Sequence, residues 1–154
     1  MPHIHEHIDF TASVFIVNGN AVLLRKHEKY HHWLQVGGHI ELKEDPVEAV
    51  LREAKEESGL DVILVGSAPP VSEGKSFRNI LTPQFINRHT VAPGHEHVDF
   101  IYFGTSETRI LNPHPTEQSV EMYWFTQQEL EAIKKDIYES TYFYATTALA
   151  ILGA

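Results

Sequence analysis

From His7 to Ile16 the stretch HIDFTASVFI alternates loosely between polar and apolar positions and is rich in β-branched and aromatic residues, which predicts a strand. Asn18-Gly19-Asn20 is a strong turn signal, and AVLLRK over 21–26 reads as a second strand, so the two predict a hairpin turning at Asn18-Gly19. A histidine- and aromatic-rich approach, HEKYHHWLQV, then leads to the Gly37-Gly38 pair. From Asp45 the period changes to that of a helix. Asp45 suits the N-cap, Pro46 the first helical position, Glu48 completes an Asp-x-x-Glu capping arrangement, and Gly59 is the residue expected just past the end. The predicted helix is Pro46 to about Ser58.

Beyond it, DVILVGSAPPV reads as a buried strand ended by Pro69-Pro70, and a further hairpin-like element is expected somewhere between Ser72 and Pro93, where SEGKSFRN looks like an exposed basic loop. HEHVDFIYFGT is a strand with period-two alternation, NPHP a loop, and VEMYWFT another short strand. TQQELEAIKKDI opens with a Thr cap and a Glu three positions on, which predicts a second helix, and the tail from Ser140 to the apolar ALAILGA has helix-compatible spacing. Strands before, between and after two or three helices predict an α/β (α+β) sandwich with a mixed sheet. A doubly wound dinucleotide fold is disfavoured, because no G-x-G-x-x-G follows a strand and the hairpin signals call for antiparallel neighbours.

Length and composition narrow the class without changing this picture. The 154 residues suit one domain, 1–154, with a single substantial core. The absence of cysteine excludes disulfides and thiolate metal sites and favours a cytoplasmic setting. MPHIHEHIDF lacks the basic-then-apolar order of a signal peptide, and no apolar run approaches the roughly 18 to 20 residues of a bilayer span. We therefore expect a soluble protein without a membrane partner. The formal charge of −9 argues against a nucleic-acid polymer as partner, but leaves room for a small anionic ligand contacted through a cation.

The candidate chemistry lies in the acidic helix. Residues 37–60 hold seven acidic side chains in twenty-four positions. At about 100° per residue, Ala49, Glu53, Glu56 and Glu57 share one arc, and Val47, Val50, Leu51, Ala54 and Ser58 an adjoining one that can face the core. Glu53 is three and four residues from Glu56 and Glu57, so like charges are neighbours, which costs a few tenths of a kcal/mol per pair in water. One explanation is a solvated acidic face. The other is a site for an oxygen-seeking dication, which converts the repulsion into coordination.

The spacing around these residues decides between the two. From Gly38 the chain reads Gly, five residues, Glu44, seven residues, then Arg52-Glu53-Ala54-Lys55-Glu56-Glu57-Ser58-Gly59-Leu60. This resembles the box of the Nudix hydrolase (MutT-like) superfamily, G-x5-E-x7-R-E-U-x-E-E-x-G-U with U an apolar residue, at every fixed position over 38–60. At average residue usage such a match arises by chance with a probability on the order of 10⁻⁸ per window. The flanks look like the family too, with a hairpin before the box, Trp33 just upstream and EMYWFTQQEL late in the chain. Ala54 is a small occupant of its apolar slot, and Val36 stands where many members have Pro.

The resemblance implies a Nudix-type α/β/α sandwich and a Mg²⁺- or Mn²⁺-dependent pyrophosphohydrolase acting on a small nucleotide or nucleoside diphosphate derivative. It also implies roles. Glu53 and Glu57 would ligate metal directly, Glu56 directly or through water, and the Gly37 carbonyl would add an oxygen. Glu53 could also be the general base, although members place that base differently, some of them on a later loop. Glu44 would be supportive, and Arg52 would orient a carboxylate by a bidentate contact. Without the box, Glu44 would read as a helix-entry charge and Arg52 as an i,i+4 partner of Glu48 or Glu56. Relatives use a fourth acidic ligand after the box, for which Asp99, Glu96, Glu117 and Glu121 are rivals. Many relatives are dimers, so a homodimer is one expectation that no stripe in the sequence localises. The competing reading is a non-catalytic nucleotide-sensing module, which has no need to retain the metal carboxylates. The related isopentenyl diphosphate isomerases need a catalytic cysteine, which this chain lacks.

Two histidine alternations stand outside the box. His95, His97 and Asp99 would project from one strand face, either as its polar outer side or as ligands. His3, His5, His7 and Asp9 repeat the pattern, and pairing of the two segments could gather them into an adventitious metal site. Arg25, Lys26, Lys75, Arg78 and Arg88 are available for substrate phosphates, Arg78 and Arg88 being the ones in the 72–90 segment expected to select substrate. Phe77, Phe85, Trp33 and Tyr123 could stack on a base.

Overall fold

A computed structural model describes residues 5–27, 29, 31–118 and 120–154. Its strands are β1 (Ile8–Asn18), β2 (Ala21–Lys26), β3 (Trp33–Leu34), β4 (Val36–His39), β5 (Ile63–Val65), β6 (Phe85–Ala92), β7 (His95–Thr105) and β8 (Met122–Thr126). Its helices are α1 (Pro46–Ser58), α2 (Gln127–Ile133) and α3 (Glu139–Leu152), with 3₁₀ turns at Pro115–Glu117 and Lys134–Asp136. Residue His3 of the N-terminal alternation lies outside the described residues.

The expected mixed sheet forms around β1 and β7, which run parallel from Ile8↔Glu96 to Val17↔Thr105. The other strand pairs are antiparallel. Alternation along β1 splits the interior in two. Ala12, Val14 and Ile16 pack with Leu23, Tyr102 and the α1 residues Ala49, Val50 and Ala54. Phe15 and Val17 pack on the opposite face with Val22, Phe103, Leu130 of α2 and Ala145 and Ala148 of α3. Both faces are thus covered by helices, as the α/β/α expectation required, because an eleven-residue strand apolar on both sides must bury both.

The other edge of β1 is shared. It pairs with β2 at Val17↔Val22 and Asn18↔Ala21, then with β4 from Val14↔Val36 to Thr11↔His39. The fork between β2 and β4 leaves Arg25 on one side and Gly37-Gly38 on the other, and the site develops there.

Three local expectations are corrected and a fourth is given its place. The β1–β2 turn is Gly19-Asn20, with Gly19 at φ 59, because the ladder continues through Asn18↔Ala21. β5 is a three-residue edge strand rather than a long buried one. Ile63 is 65% exposed because only β7 flanks it. The hairpin-like element before Pro93 is β6, which folds back on β7 across Pro93-Gly94, leaving only a small Gly74–Phe77 bridge earlier. On α1 the buried face comprises Ala49, Val50, Ala54, Glu57 and Ser58, while Leu51 is exposed. The inward arc is therefore centred on Val50 and Glu57, which puts a carboxylate in the interior.

Candidate active site

Helix α1 begins and ends as its sequence dictates. The Asp45 side chain accepts from the Glu48 backbone N–H at 2.8 Å, and the Glu48 side chain accepts from the Asp45 backbone N–H at 3.1 Å. Gly59, at φ 77, closes the C-terminal end, with its N–H donating to the Lys55 carbonyl at 2.9 Å. A Cβ at Gly59 would also overlap the Asn112 backbone, so glycine is needed there on two counts.

Arg52 ties the acidic residues into one unit. Its Nε donates to Glu44 Oε2 at 2.7 Å and its Nη2 to Glu44 Oε1 at 3.0 Å, a bidentate contact. Nη1 reaches Glu53 at 3.0 Å and Glu56 at 3.3 Å, and Nη2 also donates to the His39 carbonyl at 3.1 Å. The Arg52 guanidinium holds the Glu44 carboxyl below its ordinary range. Arg52 itself is raised, chiefly by Glu44. Burial instead pushes the Glu53 carboxyl up, against Arg52 and with help from Glu56 and Glu117. Gly38 makes room for Glu53, since a Cβ there would overlap its carboxylate.

Glu57 is set deeper. Its Oε1 accepts from the Gly37 N–H at 2.8 Å and its Oε2 meets Arg25 Nη1 at 2.6 Å. Burial pushes this carboxyl up to about 8, opposed by Arg25 and the Gly37 N–H. The far side of Arg25 meets Glu117 at 3.1 Å. Glu117 arrives there because the 112–114 loop docks on the end of α1. The N–H groups of Asn112 and His114 donate to the Ser58 and Glu56 carbonyls at 2.9 and 2.8 Å, satisfying carbonyls that a helix end leaves open. Glu53, Glu56, Glu57 and Glu117 therefore crowd two arginines, Arg25 and Arg52, beside the glycine pair.

The other candidates are placed as follows. Of the rivals for a fourth acidic position, Glu117 stands beside the box. Glu96 is held by Arg88 at 2.6 and 2.9 Å, Glu121 is exposed, and Asp99 is buried against Ser13. Arg78 sits on the N-terminus of α1, 3.1 Å from Asp45 and 3.3 Å from Glu48. Arg88 lines a cleft of about 710 Å³ that runs from Gly37, Gly38 and Arg25 past Gln35 and Asp99 to Tyr138, Thr141 and Tyr144 of the α3 region. Reasoning from the sequence missed the α3 contribution and Ser13 and Gln35, none of which lies in a motif.

His95, His97 and Asp99 do share a face, but not an outer one: His95 and Asp99 are buried, and His97 and Asp99 line the cleft. Burial, reinforced by His39 and His89, lowers the His97 imidazole to about 4. Burial raises the Asp99 carboxyl to about 6, opposed by the Ser13 hydroxyl, whose Oγ lies 3.0 and 2.9 Å from its two oxygens. The fold thus prefers Asp99 protonated, so its ionisation opposes folding above pH 6 and that cost vanishes as pH falls from about 6 towards 4. Asp99→Asn is expected to remove this slope, worth on the order of 3 kcal/mol, when urea-unfolding free energies are compared in chelator-containing buffer. A slope unchanged by the substitution would assign it to another group.

Comparison with known proteins agrees with this geometry. The family model for the NUDIX domain matches residues 8–146. A crystal structure described as a hydrolase of the NUDIX family from Clostridium perfringens is 34% identical, with a TM-score of 0.80, over 97% of this chain and 99% of that one. A MutT NUDIX hydrolase from Burkholderia pseudomallei is 20% identical with a TM-score of 0.63, over 92% of this chain and 98% of that one. A NUDIX hydrolase from Nitrosomonas europaea is 18% identical with a TM-score of 0.63, over 93% and 88% respectively. These last two bear on the fold alone. No curated protein compared with the chain matches it. The family match across nearly the whole chain, together with the carboxylates gathered on α1, shows that this protein belongs to the Nudix family and is a Nudix hydrolase.

Proposed function

We propose that the protein is a Mg²⁺- or Mn²⁺-dependent pyrophosphohydrolase that cleaves a diphosphate bond in a nucleotide or nucleoside diphosphate derivative, working as a single domain. The observation that carries this reading is the gathering of Glu53, Glu56 and Glu57 with Glu117 at the glycine pair, where burial raises Glu53 and Glu57 and neighbouring carboxylates add to both shifts. An all-oxygen, like-charged and partly desolvated donor set fits a hard dication. Glu53, Glu56 and Glu57 with the Gly37 carbonyl would hold it, each carboxylate oxygen that already accepts one hydrogen bond keeping a second lone pair. When bound, the ion neutralises the diphosphate oxygens and makes attack by water on phosphorus possible at neutral pH.

The protein's own groups prepare that step. Arg52 fixes the directions of Glu44, Glu53 and Glu56, and Arg25 does the same for Glu57 and Glu117. Glu53, the box carboxylate raised by burial and packed against Gly38, is placed to take the proton of the attacking water. The cleft beyond Gly37-Gly38 would receive the remainder of the substrate, with Arg88 at its wall. Arg78, held at the far end of α1 by Asp45 and Glu48, lies away from that lining, so of the two arginines only Arg88 would meet the substrate.

The test is an assay of phosphate and nucleotide release, with and without Mg²⁺, over nucleoside triphosphates, ADP-ribose, dinucleoside polyphosphates and nucleotide sugars. Metal-dependent release from at least one class is expected. Tight binding of a panel member with no turnover of any would replace this reading with that of a nucleotide sensor.

A further inference from the structure

We propose that Asp9, His95 and His97, with His39 beside them, form a second metal site that takes a zinc-class dication and is separate from the carboxylates of α1. Parallel pairing of β1 with β7 sets Asp9 opposite His97, so residues some ninety positions apart in sequence meet on one face of the sheet. One ligand atom from each of Asp9, His95 and His97 lies within 4.8 Å of the others. His95 Nε2 is 2.9 Å and His39 Nε2 3.3 Å from the same oxygen, Asp9 Oδ2. Ligand atoms around a tetrahedral ion with bonds of about 2.0–2.1 Å stand roughly 3.3 Å apart, so the two contacts to Asp9 Oδ2 already have that span, while the wider separation within the Asp9, His95 and His97 set would have to close around the ion.

Hydrogen bonding supplies a second argument. His95 Nδ1 is 2.9 Å from the Glu6 carbonyl oxygen, which can only accept, so Nδ1 carries the hydrogen. A neutral ring then turns the lone pair of Nε2 towards a carboxylate oxygen, and the contact is favourable only if a cation lies between them, either a second proton or a metal ion. A backbone carbonyl on the remote nitrogen is also the arrangement that commonly orients a ligating histidine. The Asp9 carboxylate is held from its other side, where Oδ1 accepts from the His5 N–H at 2.9 Å.

The surroundings supply the donors that such an ion requires. Asp9 and His95 are 1% and 7% exposed. The His97 ring stands 4.9 Å from His39, 5.7 Å from His89 and 5.6 Å from His95, so it lies among three further imidazoles. Neutral imidazoles with one carboxylate suit zinc and its transition-metal neighbours, whereas Mg²⁺ selects all-oxygen sites such as that on α1. The two sites are linked by His39, whose carbonyl accepts from Arg52 while its ring faces Asp9.

The experiment loads the full-length, chelator-treated protein with Zn²⁺ in excess Mg²⁺, removes free metal, and counts retained zinc. About one Zn²⁺ per chain is expected, and Co²⁺ in its place should give the strong visible absorption of a four-coordinate site. His97→Gln should lose the retained equivalent, while Glu53→Gln should keep it. Because substitutions at buried Asp9 or His95 can impair folding, the unaltered protein is also examined by imidazole ¹⁵N NMR. Zn²⁺ should shift the His95 and His97 nitrogens. Zinc not retained by the unaltered chain, zinc retained undiminished by a folded His97→Gln protein, or unmoved His95 and His97 signals with zinc bound would each overturn the assignment.

Discussion

Glu53→Gln is expected to lower metal-dependent turnover by about 10²–10⁴-fold while leaving thermal stability nearly unchanged or slightly improved. The amide keeps the size and one acceptor oxygen of the carboxylate but loses its charge and its capacity to take a proton. Glu53 is also the box residue packed against Gly38 and bonded to Arg52 Nη1, so it has the least freedom to be replaced by a neighbour. Burial already raises its carboxyl, which means that the fold gives up little when the charge is removed. The measurement is kcat on whichever panel substrate turns over, with melting followed in parallel. Turnover within a few-fold of the unaltered enzyme would remove Glu53 from the centre of the mechanism, and a large drop in melting temperature would show that its role is structural.

Arg25→Met is expected to have the largest effect on stability. Arg25 holds Glu57 at 2.6 Å and Glu117 at 3.1 Å, and Glu57 has only 6% of its side chain exposed. Measured above about pH 8, where Glu57 is ionised despite its burial, removing one partner of the buried pair typically costs about 3–5 kcal/mol, because the remaining charge loses its counter-ion but not its burial, and the cost shrinks at lower pH as Glu57 takes up a proton. At this chain length that corresponds to a melting temperature lower by roughly 10 °C. Methionine preserves most of the apolar stem, so the loss reports on charge rather than on packing. Thermal melts of Arg25→Met and of the double variant Arg25→Met/Glu57→Gln check this. The double variant should recover much of the loss, and no recovery would mean that Arg25 stabilises the fold through packing.

These two residues were unequally visible in the sequence. Glu53 was legible at once, because helix spacing alone makes residues at i, i+3 and i+4 neighbours and the rest of the box surrounds it at fixed intervals. Arg25 read only as one of several cations available for phosphates. Its partnership with Glu57 and Glu117 depends on β2 diverging from β1 and on the 112–114 loop docking at the end of α1, neither of which a local pattern records. Glu117 was one of four acids named from the sequence for a fourth position, and that docking is what brings it to Arg25 beside the box. The inward turn of Glu57 and the exposure of Leu51 likewise reflect how α1 sits on β4 and β1, which a helical wheel leaves undetermined.

The histidines show the same division. The alternation of His95, His97 and Asp99 was correct as a shared face, but whether that face met water or protein was open. Parallel pairing with β1 closed it and put Asp9 alongside.

By itself, the sequence determined whatever depends on neighbours within a turn or two: the strands β1, β2, β7 and β8, the capped helix, the glycine at its end and the carboxylates crowded on its surface. These follow from backbone periodicity and local hydrogen bonding, which act over a few residues. The tertiary structure alone decided which cations neutralise those carboxylates, which later acid joins them, what lines the cleft and that two distant histidine segments meet. Those outcomes rest on contacts between residues far apart in the chain, whose energies exist only once both faces of the sheet are buried.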